Sequence, residues 1–135
     1  MSAYCFDTDV LSSLARPGGG PPALARRLGV VAPEGQFTSA VTVGELRYGA
    51  LKRGNRALED DIEQIVGDVQ VVPFDELAAR AYAELRVRLE REGRPLGHPD
   101  LQIAAICLSH DLTLVTGNVR HFDRVPGLRV ENWLE

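Results

Sequence analysis

Three carboxylates stand where solvation alone does not account for them: Asp7, Glu45 and Asp100. Asp7 directly follows the apolar run Tyr4-Cys5-Phe6. A charge delivered by a buried strand must be paired, hydrogen-bonded or bound to a cation, and no basic residue lies near it in sequence. Glu45 falls in the middle of an expected helix, where Gly44 and Gly49 permit close backbone approach and Val41 and Tyr48 share its face. Asp100 opens an apolar helix, and steps of three and four from it reach Ile103, Ala104, Cys107 and Leu108, a core-facing stripe. Asp100 and Glu45 also have an ordinary explanation, whereas Asp7 is harder to dismiss. Asp100 in a first turn offsets a helix dipole, worth about 0.3 to 1 kcal/mol, and Glu45 can simply face water. Taken together, the three suit a hard divalent cation held by oxygen, Mg²⁺ or Mn²⁺ rather than zinc.

An ion so held lowers the pKa of a bound water and neutralises charge that develops during in-line attack on a phosphate, while the carboxylates hold the ion and need not act as the base. Like charges around one site also strain the fold in the absence of the ion, so Asp100→Asn is expected to raise the melting temperature of the metal-free protein.

Several elements must place these residues. Tyr4 to Phe6 reads as a buried strand, and Thr8 or Asp9 can cap a helix running to about Ala15. Arg16 to Pro22 is too rich in glycine and proline for regular structure. A second helix runs through Leu28. Gln36 to Thr38 forms a strand, with Ser39 capping a helix over Ala40 to Arg53 that Gly54 stops. Leu58, Ile62 and Ile65 recur at helical spacing, and a strand follows with Val69 and Val71. Asp75 caps a helix whose stripe is Ala78, Ala81, Tyr82, Leu85 and Leu89, and whose exposed face pairs Glu76 with Arg80 and Glu84 with Arg88. Pro99 opens the buried helix of Asp100. Thr113 to Thr116 and Leu128 to Trp133 complete the strands. Strands separated by helices imply an α/β fold, a short central parallel sheet wrapped by helices on both faces, with residues 1–135 as one domain. In such a sheet ligands bind beyond the carboxyl ends of the strands, where Asp7 lies.

Composition narrows the class. The 135 residues are 44% hydrophobic and 25% charged, with no apolar run long enough for a membrane span. The N-terminus lacks the basic flank and apolar stretch of a secretory signal, which points to the cytoplasm. Cys5 and Cys107 sit among apolar neighbours without metal-ligand spacing and read as buried free thiols. A net charge of -4 argues against a protein that grips nucleic acid by bulk charge. Fourteen of the fifteen basic residues are arginine, Lys52 being the exception, a bias that suits either phosphate recognition or a GC-rich genome.

The segment Phe6-Asp7-Thr8-Asp9-Val10-Leu11 resembles the opening motif of PIN domains, and Ser39 to Gly49 resembles their second motif. Asp100 with Ile103-Ala104-Ala105 matches the third, and Leu112 to Phe122 the fourth. The continuation Val125 to Trp133 looks like the tail of VapC toxins. The motifs occur in the family's order across nearly the whole chain. The resemblance implies a PIN-like α/β/α sandwich and a Mg²⁺- or Mn²⁺-dependent endoribonuclease, usually a homodimer and held inactive by a VapB-like antitoxin. Asp7, Glu45 and Asp100 would then be its catalytic, metal-site acids.

Two departures from the family pattern stand out. Asp9 replaces the usual asparagine, and His121 replaces the acid before the phenylalanine of the fourth motif. Asp9 either restores the missing charge or caps the first helix. His121 is better placed as a neutral neighbour or an RNA contact than as a ligand. Thr8 is a further accessory candidate, and Asn118, at a strand end, can orient a water on the ion. Two competing readings remain. One is a PIN fold kept only as a binding module, its site decayed at His121. The other is a haloacid-dehalogenase-like phosphatase, which the Asp7-Thr8-Asp9 segment also resembles but which needs a lysine near the phosphate. The Gly18 to Gly20 loop with Arg26 and Arg27, and the stretch Arg86 to Arg94, are either RNA contacts or solvated surface.

Overall fold

The computed structural model describes residues 2–135. Five parallel strands form one sheet in the order β3-β2-β1-β4-β5: β1 (Tyr4–Phe6), β2 (Gln36–Ser39), β3 (Gln70–Val72), β4 (Thr113–Val115) and β5 (Val130–Glu131). The chain leaves β1 toward β2 and β3, then returns across the sheet to β4 on the other side of β1. That reversal opens a crevice at the carboxyl ends of β1 and β4.

Side chains alternate across the sheet and split the core in two. Cys5 and Leu114 face one cluster, built with α5 (Glu76–Arg91) and α6 (His98–Ser109) through Ala78, Leu85, Leu89 and Ile103. Phe6 and Val115 face the other, closed by α1 (Thr8–Ala15), α2 (Pro22–Leu28), α3 (Ala40–Arg53) and α4 (Arg56–Gly67) through Val10, Leu24, Leu46 and Ile62. The result is the expected α/β/α sandwich. Both thiols are buried and free, and among the described residues no helix is long and apolar enough to cross a membrane.

The local differences from the sequence reading have physical causes. Neither Thr8 nor Asp9 caps α1: Asp7 has the extended backbone of a cap, and its Oδ1 accepts the Thr8 N–H at 2.8 Å. Pro22 belongs to α2 rather than to the loop, because proline's fixed φ suits the first turn of a helix. The exposed pairing on α5 includes Glu76 with Arg80 as expected. Arg88, however, turns forward to Glu92 rather than back to Glu84, and Arg86 pairs with Glu90. The last strand shrinks to two residues. A short helix, α7 (Val119–Phe122), and a turn of 3-10 helix at Pro33–Gly35 fall below the length at which periodicity gives a signal. The glycines beside Glu45 do not mark close backbone approach, since a Cβ at Gly44 or Gly49 would meet nothing within 4 Å.

Candidate active site

Asp7 is the fixed point of the site. Its backbone N–H donates to the carbonyl of Val115, the last residue of β4, at 2.9 Å, which continues the β1-β4 ladder one residue past the end of β1. The residue is only 5% exposed. Oδ1 accepts the Thr8 N–H, and Oδ2 accepts the Thr116 hydroxyl at 2.8 Å. The Thr116 oxygen in turn accepts the Asn118 N–H at 3.0 Å. Burial, first of all, pushes the Asp7 carboxyl up to about 6. The two hydrogen bonds oppose this, and the neighbouring charges of Asp9 and Asp100 add to it. No ion pair to Asp7, Asp9 or Glu45 exists among the described residues.

Asp9 sits in the first turn of α1, and its Oδ2 accepts the Gly117 N–H at 2.8 Å. Its Oδ1 is buried and has no protein partner among the described residues. A carboxylate oxygen in that condition costs free energy unless another donor or a cation meets it. Glu45 is exposed on α3, where its Oε1 accepts the Thr8 hydroxyl at 2.8 Å. Thr8 therefore joins the first and second motifs: its N–H donates to Asp7 and its hydroxyl to Glu45. Ser39 makes this possible, because it ends β2 and caps α3 by accepting the Thr42 N–H at 2.9 Å.

Asp100 lies in the first turn of α6, 30% exposed at its side chain, and its Oδ2 stands 3.2 Å from the His121 Nδ1. His121, 57% exposed, reaches it from α7. Asn118 is the residue before α7, and its side chain forms no cap to that helix. The structure thus brings Asp9 and Asp100 within electrostatic reach of Asp7 and ties Glu45 to Asp7 through Thr8. Lys52 packs over the Tyr48 ring, 5.7 Å from its centroid. Sequence reasoning passed over Thr116 and Gly117. Their only signal is a hydroxyl and a small residue just past a buried strand, a pattern shared by many loops.

In donor type and charge these residues fit a hard divalent cation: all are oxygen ligands, and one buried carboxylate oxygen lacks a partner. Among the described residues, no group of three acid, histidine or cysteine side chains already has the spacing to hold an ion. Asp7 is fixed by its three hydrogen bonds, whereas Glu45 is exposed and Asp100 half-buried.

Comparison with known proteins gives the family and the fold. A family model described as PIN domain matches residues 4–128. The chain is 42% identical over 99 residues to the tRNA(fMet)-specific endonuclease VapC of Shigella flexneri, covering 70% of this chain and 73% of that one. It is 31% identical over 134 residues to ribonuclease VapC1 of Haemophilus influenzae, covering 96% and 97%. Among solved structures, VapBC2 from Rickettsia felis, bound to a DNA fragment from its promoter, superposes with a TM-score of 0.88. The identity there is 27%, over 97% of this chain and 98% of that one.

Proposed function

The chain belongs to the PIN domain family, with VapC ribonucleases among its relatives, and from that premise we propose that it is a Mg²⁺- or Mn²⁺-dependent endoribonuclease, the toxin of a type II toxin-antitoxin pair. The observation that carries the chemistry is Asp7: a buried carboxylate with no cationic partner, raised to about 6, beside two further acids. A site built this way has a deficit of positive charge that a divalent ion supplies.

Asp7, Asp100 and Glu45 would hold the ion. When bound, it lowers the pKa of water and offsets charge on the scissile phosphate. The chain's own residues prepare the site. Thr116 and the Thr8 N–H fix both oxygens of Asp7, so little rotational freedom is lost on binding. The Thr8 hydroxyl holds Glu45 toward the crevice. The Gly117 N–H fixes one oxygen of Asp9 and leaves the other free. The substrate class, RNA, rests on the names of the relatives, one of which is specific for a transfer RNA. The structural neighbour is a VapBC pair, so a VapB-like protein is the partner proposed here. A homodimer is proposed as well, since a chain of net charge -4 holds RNA more easily with basic residues from two copies.

A transfer RNA transcript incubated with the purified chain should be cut in Mg²⁺ or Mn²⁺, spared in chelator, and spared by Asp7→Asn. Equal cutting by Asp7→Asn and the parent would remove the carboxylate mechanism. A second reading, a binding module with a decayed site, draws on the contact between His121 and Asp100. It forecasts no cleavage under any metal, and the same assay separates the two. The phosphatase reading falls with family membership, and its lysine is engaged at Tyr48.

A further inference from the structure

A groove of about 230 Å³ runs between α1, α3 and α4. Thr8 and Glu45, bonded to each other, line it at the active site, and Arg16 and Arg53 line it as well. Arg16 follows Thr8 by eight residues along α1, and Arg53 follows Glu45 by eight along α3. Eight residues are slightly more than two helical turns, about 12 Å of rise. The segments Thr8 to Arg16 and Glu45 to Arg53 therefore both run from the acidic site to a guanidinium group on the same groove. Ser12 and Gly49 lie between, and the absence of a side chain at Gly49 helps to keep the groove open.

We propose that Arg16 and Arg53 bind a phosphate of the RNA strand flanking the scissile bond, and that this groove is the track along which the strand leaves the acidic site. The proposal rests on the nuclease reading above and adds to it the residues that hold the substrate. An arginine at a helix C-terminus has an ordinary role in offsetting the dipole, which Arg53 fills in the last turn of α3, while Arg16 stands one residue past the end of α1. That role does not explain why both converge on one groove that opens at Glu45. Nor does it explain why they remain unengaged: among the described residues neither forms an ion pair or donates a side-chain hydrogen bond, whereas Arg27, Arg47, Arg80, Arg86, Arg88 and Arg129 do. Both are exposed. With a net charge of -4 the chain offers no general attraction to an anionic strand, so local cations must hold it against the repulsion of Asp7, Asp9 and Glu45. Guanidinium groups suit the task because they bond two phosphate oxygens at once. At about 12 Å from Thr8 and Glu45 they lie too far along the helices to serve the reacting phosphate, which assigns them to a neighbour.

The test measures binding of a fluorescent transfer RNA over a range of salt, in an Asp7→Asn background that cannot cut, alongside cleavage by the otherwise unchanged chain. Arg16→Gln and Arg53→Gln should each weaken binding by about tenfold and lower the slope of log K against log salt by about 0.7 to 0.9. Arg16→Lys should keep the slope, and both glutamine variants should raise KM more than they lower kcat. Arg80→Gln, which removes an exposed arginine of α5 outside the groove, is the charge control and should change nothing. Slopes for Arg16→Gln and Arg53→Gln equal to that of Arg80→Gln would overturn the proposal even if the parent cuts RNA. RNA binding that depends on both arginines in a chain that cuts nothing would uphold the groove and remove the nuclease reading. Unchanged RNA binding with weakened pairing to the antitoxin would give the groove to the protein partner and overturn the proposal.

Discussion

Asp9 and Gly117, 108 residues apart in sequence, are joined by a 2.8 Å hydrogen bond from the Gly117 N–H to the Asp9 Oδ2. The bond ties the first turn of α1 to the residue just beyond Thr116, across the crevice between β1 and β4. Asp9 is therefore not the helix cap: one of its oxygens is held by this bond, and the other has no protein partner among the described residues. It holds the turn from which Asn118 and α7 depart, and α7 carries His121 to Asp100.

Gly117→Ala should destabilise the fold by about 1 to 3 kcal/mol. A Cβ there would stand 2.7 Å from the Asp9 Oδ2 and 3.1 Å from the Leu134 Cδ1. In an Asp9→Ala background the cost should fall, because the nearer obstacle is gone. Urea denaturation of the four proteins forms a double-mutant cycle, and the same cost in both backgrounds would contradict the contact.

Asp7 makes stability depend on pH in a defined direction. Its folded pKa, about 6, is above its ordinary 3.8, so between those values the native state holds a proton that the unfolded chain has released. Stability then falls as pH rises through this window, by about 3 kcal/mol once ionisation is complete. Below about pH 4 the penalty is absent. In chelator at pH 7.5, Asp7→Asn should therefore melt higher than the parent, with the gain vanishing toward pH 4, since the Asn oxygen still accepts the Thr8 N–H. Added Mg²⁺ should stabilise the parent alone. A lower melting temperature for Asp7→Asn at pH 7.5 in chelator would count against the raised pKa. Asp100, half-buried and facing His121, makes only the last-ranked contribution to that shift, so the expected gain from Asp100→Asn is the smaller of the two.

His121→Asp should place a carboxylate opposite Asp100 in place of the imidazole now 3.2 Å from it. The added oxygen donor should tighten Mn²⁺ binding by about tenfold, read from the loss of the free-ion signal in electron paramagnetic resonance. Without metal, like-charge repulsion between two partly exposed groups should lower stability by on the order of 1 kcal/mol. Unchanged Mn²⁺ affinity would show that Asp100 does not face the ion.

The strand that ends at Asp7, the helix that Ser39 caps and the apolar helix after Pro99 are legible in the sequence because each is set by a local rule. Those rules are an apolar run that stops at a charge, a hydroxyl before a helix, and a stripe that counts forward from Asp100. The parallel sandwich follows from their alternation, and the three acids follow from their places at the ends and faces of those elements. Tertiary structure alone decided which oxygen meets which donor. The Asp7 to Thr116 and Asp9 to Gly117 bonds join residues more than a hundred positions apart, and they form because β4 returns to lie against β1 rather than beyond β3. No periodicity encodes that return. The same holds for the groove from Glu45 to Arg53, whose walls come from three helices. A sequence records that an arginine closes each of two helices, and only packing brings the two to one opening.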